Sequence, residues 1–229
     1  MQQERMAATA AAEGIAAGGL QDGGALDLAA LAAMPLTREP FDFLILPDFI
    51  RPAARAAINR DFPKVPRNGS WPIEVLRPGP AFAALLRELN GDAVRQAFEA
   101  KFGIELAGRP TMLTARGHCA AKDGGIHVDS RTKLLTVLIY LNPGWQAPGG
   151  RLRLLRSPDD LEDYVVEVPP EDGTLLAFRP CRHSYHGHKP FVGPRRAVQF
   201  NWVTEASVVR REIARHRFSA LVKSLLPSA

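Results

Sequence analysis

The run His127-Val128-Asp129-Ser130-Arg131-Thr132-Lys133-Leu134-Leu135-Thr136-Val137-Leu138-Ile139-Tyr140-Leu141-Asn142 joins a candidate metal-ligand pair to a strand pattern. In a strand, residues i and i+2 point to the same side, so His127 and Asp129 can reach one ion together. The same alternation puts Thr136, Leu138 and Tyr140 on one face and Val137, Ile139 and Leu141 on the other. A lone His-x-Asp is a weak signal. Here it stands directly before a β-patterned run, and His186 and the pair Arg195-Arg196 follow in order. Two imidazoles and one carboxylate on a β-scaffold occupy one face of an octahedral metal and leave the opposite face open.

Working outward, the texture from Thr111 onward is short strands separated by Gly and Pro. The pattern predicts strands at Thr111–Arg116, Leu134–Asn142, Arg151–Leu155, Tyr164–Val168, Gly173–Phe178 and Arg196–Val203. Short strands with turn signals between them predict a sandwich or jelly roll. Upstream, Phe41–Leu46 reads as a short strand, and Pro52–Asp61 as a helix with Pro near its start. Ala81–Phe102 carries apolar residues at helical spacing, broken at Asn90-Gly91. The fold class expected is α+β with a mainly β core, supported by N-terminal helices and closed by a C-terminal helix over Val208–Leu226. The chain divides into a disordered Ala/Gly-rich tail at 1–38, with a short helix near Leu26–Met34, a core domain at 39–205, and a basic C-terminal helix at 206–229.

The chain has 229 residues, 46% of them hydrophobic, enough for one core with appendages. It holds no run of about 18 apolar residues, which speaks against a membrane span. The Ala/Gly-rich start lacks a basic segment followed by a compact apolar one and does not read as a signal peptide. Two cysteines, Cys119 and Cys181, make no disulfide framework, so a reducing cytoplasm is the expected setting. The net charge of +5 concentrates at the C-terminal end, where Arg210, Arg211, Arg215, Arg217 and Lys223 face only Glu205 and Glu212. A solvated helix face accounts for that, and nucleic acid is not expected as a partner.

Six motifs occur in order: H-V-D, L-T-V-L-I-Y-L-N, G-G-R-L-R-L, D-G-T-L-L-A-F, S-Y-H-G-H-K-P-F and R-R-A-V-Q-F-N-W. Over roughly Thr111 to Val203 the chain resembles the prolyl-hydroxylase-like branch of the iron(II)/2-oxoglutarate-dependent oxygenases. The resemblance implies a double-stranded β-helix, Fe(II) as metal, 2-oxoglutarate as co-substrate, and ascorbate as a reductant. It implies hydroxylation of a C–H bond in a prolyl or other residue of a protein, or in a free amino acid or other small metabolite. A non-catalytic jelly-roll metal- or ligand-binding module is the competing class.

Carried over residue by residue, His127, Asp129 and His186 match the iron triad, with His183 and His188 as alternatives for the distal position. The far carboxylate of 2-oxoglutarate needs a fixed cation, and a guanidinium fork suits it. Arg195 and Arg196 point to opposite faces. The family pattern places an aromatic six residues after the anchor, and Trp202 is six beyond Arg196, so Arg196 is the expected anchor. A bulge near Gly193-Pro194 would transfer the role to Arg195. Tyr140 matches the tyrosine that assists co-substrate binding, and Leu152 is expected in the same pocket wall. The segment Thr114–Gly125 has no tyrosine, unlike some prolyl hydroxylases, and offers Arg116, His118 and Lys122 as candidates for substrate contact.

Overall fold

A computed structural model describes residues 24–211, 213 and 214. Its strands are β1 (Phe43–Leu46), β2 (Ser70–Pro72), β3 (Thr111–Cys119), β4 (Lys133–Tyr140), β5 (Leu152–Leu155), β6 (Tyr164–Val168), β7 (Leu175–Phe178), β8 (His186–His188) and β9 (Gly193–Val203). The major sheet has the order β1-β7-β4-β9-β3-β2 and the minor sheet β6-β5-β8. Every pairing within them is antiparallel. The two sheets face one another as a double-stranded β-helix, the jelly roll that the strand pattern predicts.

Period-two alternation gives the major sheet two different faces. From β4 and β9, Leu135, Val137, Ile139, Val198, Phe200 and Trp202 join one apolar cluster with the helices. From the same strands, Tyr140 and Ala197 join a second cluster with Leu152 and Leu154 of the minor sheet. The helices behind the major sheet are α1 (Leu28–Ala33), α2 (Pro52–Arg60), α3 (Pro80–Leu89) and α4 (Asp92–Phe102). Both α2 and α3 begin with Pro, whose missing N–H has no helical partner to lose there. Asp61 accepts a bond from the Ala81 N–H and caps α3. Phe98 of α4 packs on Trp202 of β9, ring centroids 5.6 Å apart.

Two features differ from the sequence reading. The first is the tail. Residues 24–38 dock on the core: Leu31 is fully buried and Leu26 nearly so. The Glu88 carboxylate accepts bonds from the Ala25 and Leu26 N–H groups, and Leu26 bridges Ile50. Low aromatic content hid two leucines that suffice to anchor the segment. Burying a leucine is worth roughly 1.5–3 kcal/mol, enough to offset part of the ordering entropy. Residues 1–23 lie outside the described residues. The second is the two short strands β2 and β8, which pattern reading does not resolve at three residues each. The C-terminal helix begins at 206, and its expected continuation past 214 lies outside the described residues. Among the described residues, no helix is long and apolar enough to cross a membrane.

Candidate active site

His127 and Asp129 lie on the extended connection between β3 and β4. His127 forms a two-way backbone bridge with His186 of β8: each N–H donates to the other's carbonyl at 3.0 Å. That bridge brings the two imidazole centroids within 4.3 Å. The Nδ1 atoms of His127 and His186 sit 2.9 Å from the Gly125 and Ser184 carbonyls. A carbonyl only accepts, so each Nδ1 carries a proton, which directs each Nε2 toward the role of metal ligand. Among the described residues, His127, Asp129 and His186 form a cluster whose potential ligand atoms lie within 4.8 Å of one another. His183 is exposed and stands apart from it.

The electrostatics suit a cation. Burial pushes the Asp129 carboxyl up, but Lys133 and His186 outweigh it, helped by bonds from Lys133 and Thr136, so its pKa is held below the ordinary value. Lys133 Nζ lies 2.6 Å from Oδ1 and Thr136 Oγ1 2.6 Å from Oδ2. Burial lowers the His186 pKa to about 4, with Asp129 opposing and His127 adding to the drop. The result is an anionic carboxylate beside a neutral imidazole.

A cavity of about 260 Å³ runs inward from the triad between the sheets, lined among others by Thr136, Leu138, Tyr140, Leu152, His188 and Arg195. The structure corrects the expected anchor: Arg195, not Arg196, lines this cavity. Arg195 Nε donates to the Gly150 carbonyl at 2.7 Å, and the guanidinium carbon lies 5.2 Å from the Tyr140 ring centroid. Arg196 points to the helix side, 5.4 Å above the Phe62 ring and 3.5 Å from the Asn59 carbonyl. The reason is the alternation itself. Trp202 shares a face with Arg196, Val198 and Phe200, but that face packs on the helices. Gln199 shares the face of Arg195 and also lines the cavity.

Tyr140 is fully buried, and its hydroxyl has no hydrogen-bond partner among the described residues. Burial raises its pKa, opposed by the Arg195 charge, so it stays a neutral donor. An unpaired buried hydroxyl costs about 1–3 kcal/mol. A carboxylate accepting from Tyr140 and Arg195 removes that cost, and the far end of 2-oxoglutarate is such a group. Two glycines shape the surroundings. Gly150, at φ +77°, presents the carbonyl that holds Arg195, and Gly124, at φ +96°, lies so close to His188 that a Cβ would sit 2.4 Å from its ring.

A second cavity of about 580 Å³ opens outward from the triad, lined by Met112, Thr114, Val128, Ser130, Thr132 and Val208, with Arg116, Lys133 and Gln199 shared between the two. Of the three proposed substrate contacts, only Arg116 reaches these cavities; it pairs with Asp123 at 2.9 Å. His118 turns to Asn68, and Lys122 is exposed and lines neither cavity. Lys133 reads from sequence as a solvated cation, yet its side chain is largely buried against Asp129. Gln199 and Asn201 were missed, although the face they share with Arg195 was available from alternation.

Residues 116–204 match the model of the 2OG-Fe(II) oxygenase superfamily. Over those residues the chain is similar to this superfamily, whose members are Fe(II)- and 2-oxoglutarate-dependent oxygenases. Three solved structures share its fold. A prolyl-4-hydroxylase from Pseudomonas putida is 18% identical, with a TM-score of 0.55 over 79% of this chain and 100% of that one. A prolyl hydroxylase from Trichoplax adhaerens, solved with a hypoxia inducible factor oxygen degradation domain peptide fragment, is 20% identical, with a TM-score of 0.53 over 82% and 91%. A prolyl 4-hydroxylase from Phytophthora capsici is 16% identical, with a TM-score of 0.53 over 84% and 70%. No curated protein matches the sequence.

Proposed function

We propose that this oxygenase hydroxylates a residue of a peptide or protein, a prolyl residue being the leading candidate. His127, Asp129 and His186 hold the Fe(II), and Arg195 with Tyr140 binds the far carboxylate of 2-oxoglutarate. The observation that carries the reading is the placement of the triad between two unlike cavities. The smaller is lined by the Arg195 guanidinium and the Tyr140 phenol. The larger has room for a chain segment. The three solved structures compared above are prolyl hydroxylases, one of them with a bound peptide, which supports a peptide over a small metabolite. The bound metal supplies the O₂ and redox chemistry. The protein's own part is positional. The carbonyls of Gly125 and Ser184 fix the imidazole tautomers, and Lys133 and Thr136 keep Asp129 ionised. We also propose a reducing compartment, the cytoplasm, in keeping with free Cys119 and Cys181.

Two measurements test this. With Fe(II), ascorbate and 2-oxoglutarate, the protein should release succinate, and Asp129→Ala should reduce the release to background. Proline-containing peptides should then raise succinate release and gain one oxygen atom by mass spectrometry. Succinate release without any modified peptide, but with a modified free amino acid, would move the substrate class to small metabolites.

A further inference from the structure

Beside Asp129, in the wall of the smaller cavity, lies a short polar chain buried in the major sheet. Thr136 Oγ1 is 2.6 Å from Asp129 Oδ2 and 3.1 Å from the Asn201 side-chain oxygen. Thr136 and Asn201 are almost fully buried. A hydroxyl has one proton, and both of these neighbours accept. The anionic carboxylate at the shorter distance takes it, because a bond to a charged acceptor is the stronger one. That leaves two lone-pair groups, Thr136 Oγ1 and the Asn201 oxygen, facing each other. Meanwhile Asn201 Nδ2 is buried with no partner among the described residues. Turning the amide by half a rotation about its last bond resolves both faults. Nδ2 then donates to Thr136 Oγ1, and the orphan position holds a carbonyl oxygen, which tolerates a missing partner better than an N–H does. Gln199, whose amide lies 3.4 Å from the same Asn201 atom, can turn its own oxygen to accept the second Nδ2 hydrogen.

We propose that Asn201 and Thr136 form a directed relay, Asn201 N–H to Thr136 and Thr136 O–H to Asp129, that positions the carboxylate for the metal. Asn201 and Thr136 are positioning residues, since they act through the Asp129 carboxylate. The relay holds Oδ2, while Lys133, the less buried of the two partners, holds Oδ1. The more buried contact is the less able to yield, so Oδ2 stays tethered and Oδ1 would be the oxygen left for a metal. The sequence carries the arrangement in plain view: Thr136 lies four residues before Tyr140 on its strand face, and Asn201 six after Arg195 on its own. In the register of β4 and β9 the two are paired directly, Thr136 opposite Asn201.

This inference rests on Asp129 being a metal ligand. It is tested with full-length metal-free protein and Mn(II), a redox-stable stand-in, by titration calorimetry. Thr136→Val keeps the shape and removes the hydroxyl; it should weaken Mn(II) binding by about tenfold or more, as removal of a ligand's supporting partner generally does. Thr136→Ser restores the hydroxyl and should bind within about threefold of the unsubstituted protein. Asn201→Leu should weaken binding less, by about threefold, and should add nothing to Thr136→Val, because it acts through Thr136. Circular dichroism on the metal-free variants checks that each is folded. If Thr136→Val does not fold, Thr136→Ser and Asn201→Leu still decide: serine rescue with weakened binding by the leucine variant supports the relay. Mn(II) affinity unchanged in Asn201→Leu, or in a folded Thr136→Val, overturns it. Asp129→Ala separates the two levels. If it abolishes Mn(II) binding while Thr136→Val does not weaken it, the relay alone is wrong. If it leaves binding intact, the ligand assignment fails and takes the relay with it.

Discussion

The two faces of the major sheet come from the same strands and are buried to similar degrees, yet they have opposite chemistry. Toward the helices, β4 and β9 present Leu135, Val137, Ile139, Val198, Phe200 and Trp202. Toward the minor sheet they present Thr136, Leu138, Tyr140, Arg195, Gln199 and Asn201. Apolar burial favours folding roughly in proportion to area, so the helix face stabilises. Burying a guanidinium, a phenol and two amides costs free energy unless each finds a partner. A face that carries those groups against that cost is organised for binding. One strand thus divides stability from function by a shift of a single residue.

The sharpest way to break this division is to cut the helix face and look for a functional effect. Phe200→Ala removes a fully buried ring from the cluster with Trp202. It should cost about 3–5 kcal/mol of unfolding free energy. The surviving folded protein should keep its 2-oxoglutarate KM. A KM raised tenfold in denaturant-free buffer would show that the faces are coupled.

The same side of the sheet holds α1. Leu31→Ala should cost about 2–5 kcal/mol, since Leu31 is fully buried. Removing residues 1–38 should lower the thermal midpoint by roughly 5 °C or more, at about 2–4 °C per kcal/mol for a domain of this size. An unchanged midpoint would return the segment to the status of a tail.

On the inner face the effect should appear in binding. Arg195→Ala removes a charge-assisted donor pair and should raise the 2-oxoglutarate KM by about 100-fold, with the thermal midpoint moved little. A midpoint drop of the size caused by Phe200→Ala, with no change of KM, would assign Arg195 to structure.

A pH series sharpens the comparison further, because the buried imidazole is on the inner face. The His186 pKa falls to about 4 on folding, mainly through burial. Between pH 6.5 and 4 the unfolded chain therefore binds a proton that the native state refuses, so stability rises with pH across that window. The contribution is complete above pH 6.5 and is lost as pH falls toward 4. For metal-free protein, going from pH 6.5 to 5 should cost roughly 2 kcal/mol from His186. His188, also lowered to about 4 chiefly by burial, acts in the same direction. Urea denaturation of the metal-free protein at the two pH values measures it, and His186→Gln should reduce the slope. Equal stability at both values would mean the imidazole is solvated.

The comparison also explains what was legible in the sequence. The clustering of His127 and Asp129 was readable because His-x-Asp before a β run is a local pattern with a geometric reason. The strands were readable because alternation is local too. Which face of β9 turns inward is not local. Arg196 with Val198, Phe200 and Trp202 looks like an interior set, and so it is, but the interior belongs to the helix layer. Only the packing of α3 and α4 decides that. The docking of 24–38 was hidden for the same reason, since Glu88, which anchors Ala25 and Leu26, lies about sixty residues along the chain.

The smallest expected effect is the most discriminating. Arg196 makes one long side-chain contact, 3.5 Å to the Asn59 carbonyl, and stacks over Phe62 at 5.4 Å. It is half-buried, so its charge is partly solvated. A cation–π contact at such a site is worth about 0.5–1 kcal/mol. Its backbone N–H, which donates to Asn142 Oδ1 at 2.7 Å, survives substitution by alanine. Arg196→Ala should therefore cost no more than about 1 kcal/mol and change the 2-oxoglutarate KM less than threefold. Measured beside Arg195→Ala, it is an internal control that differs by one residue in sequence and by a whole sheet face in space. If Arg196→Ala raised the KM more than Arg195→Ala, β9 would have to slip by one residue in the working enzyme. Phe200 and Trp202 would then face the chamber, and the division between the two faces would fail at its centre.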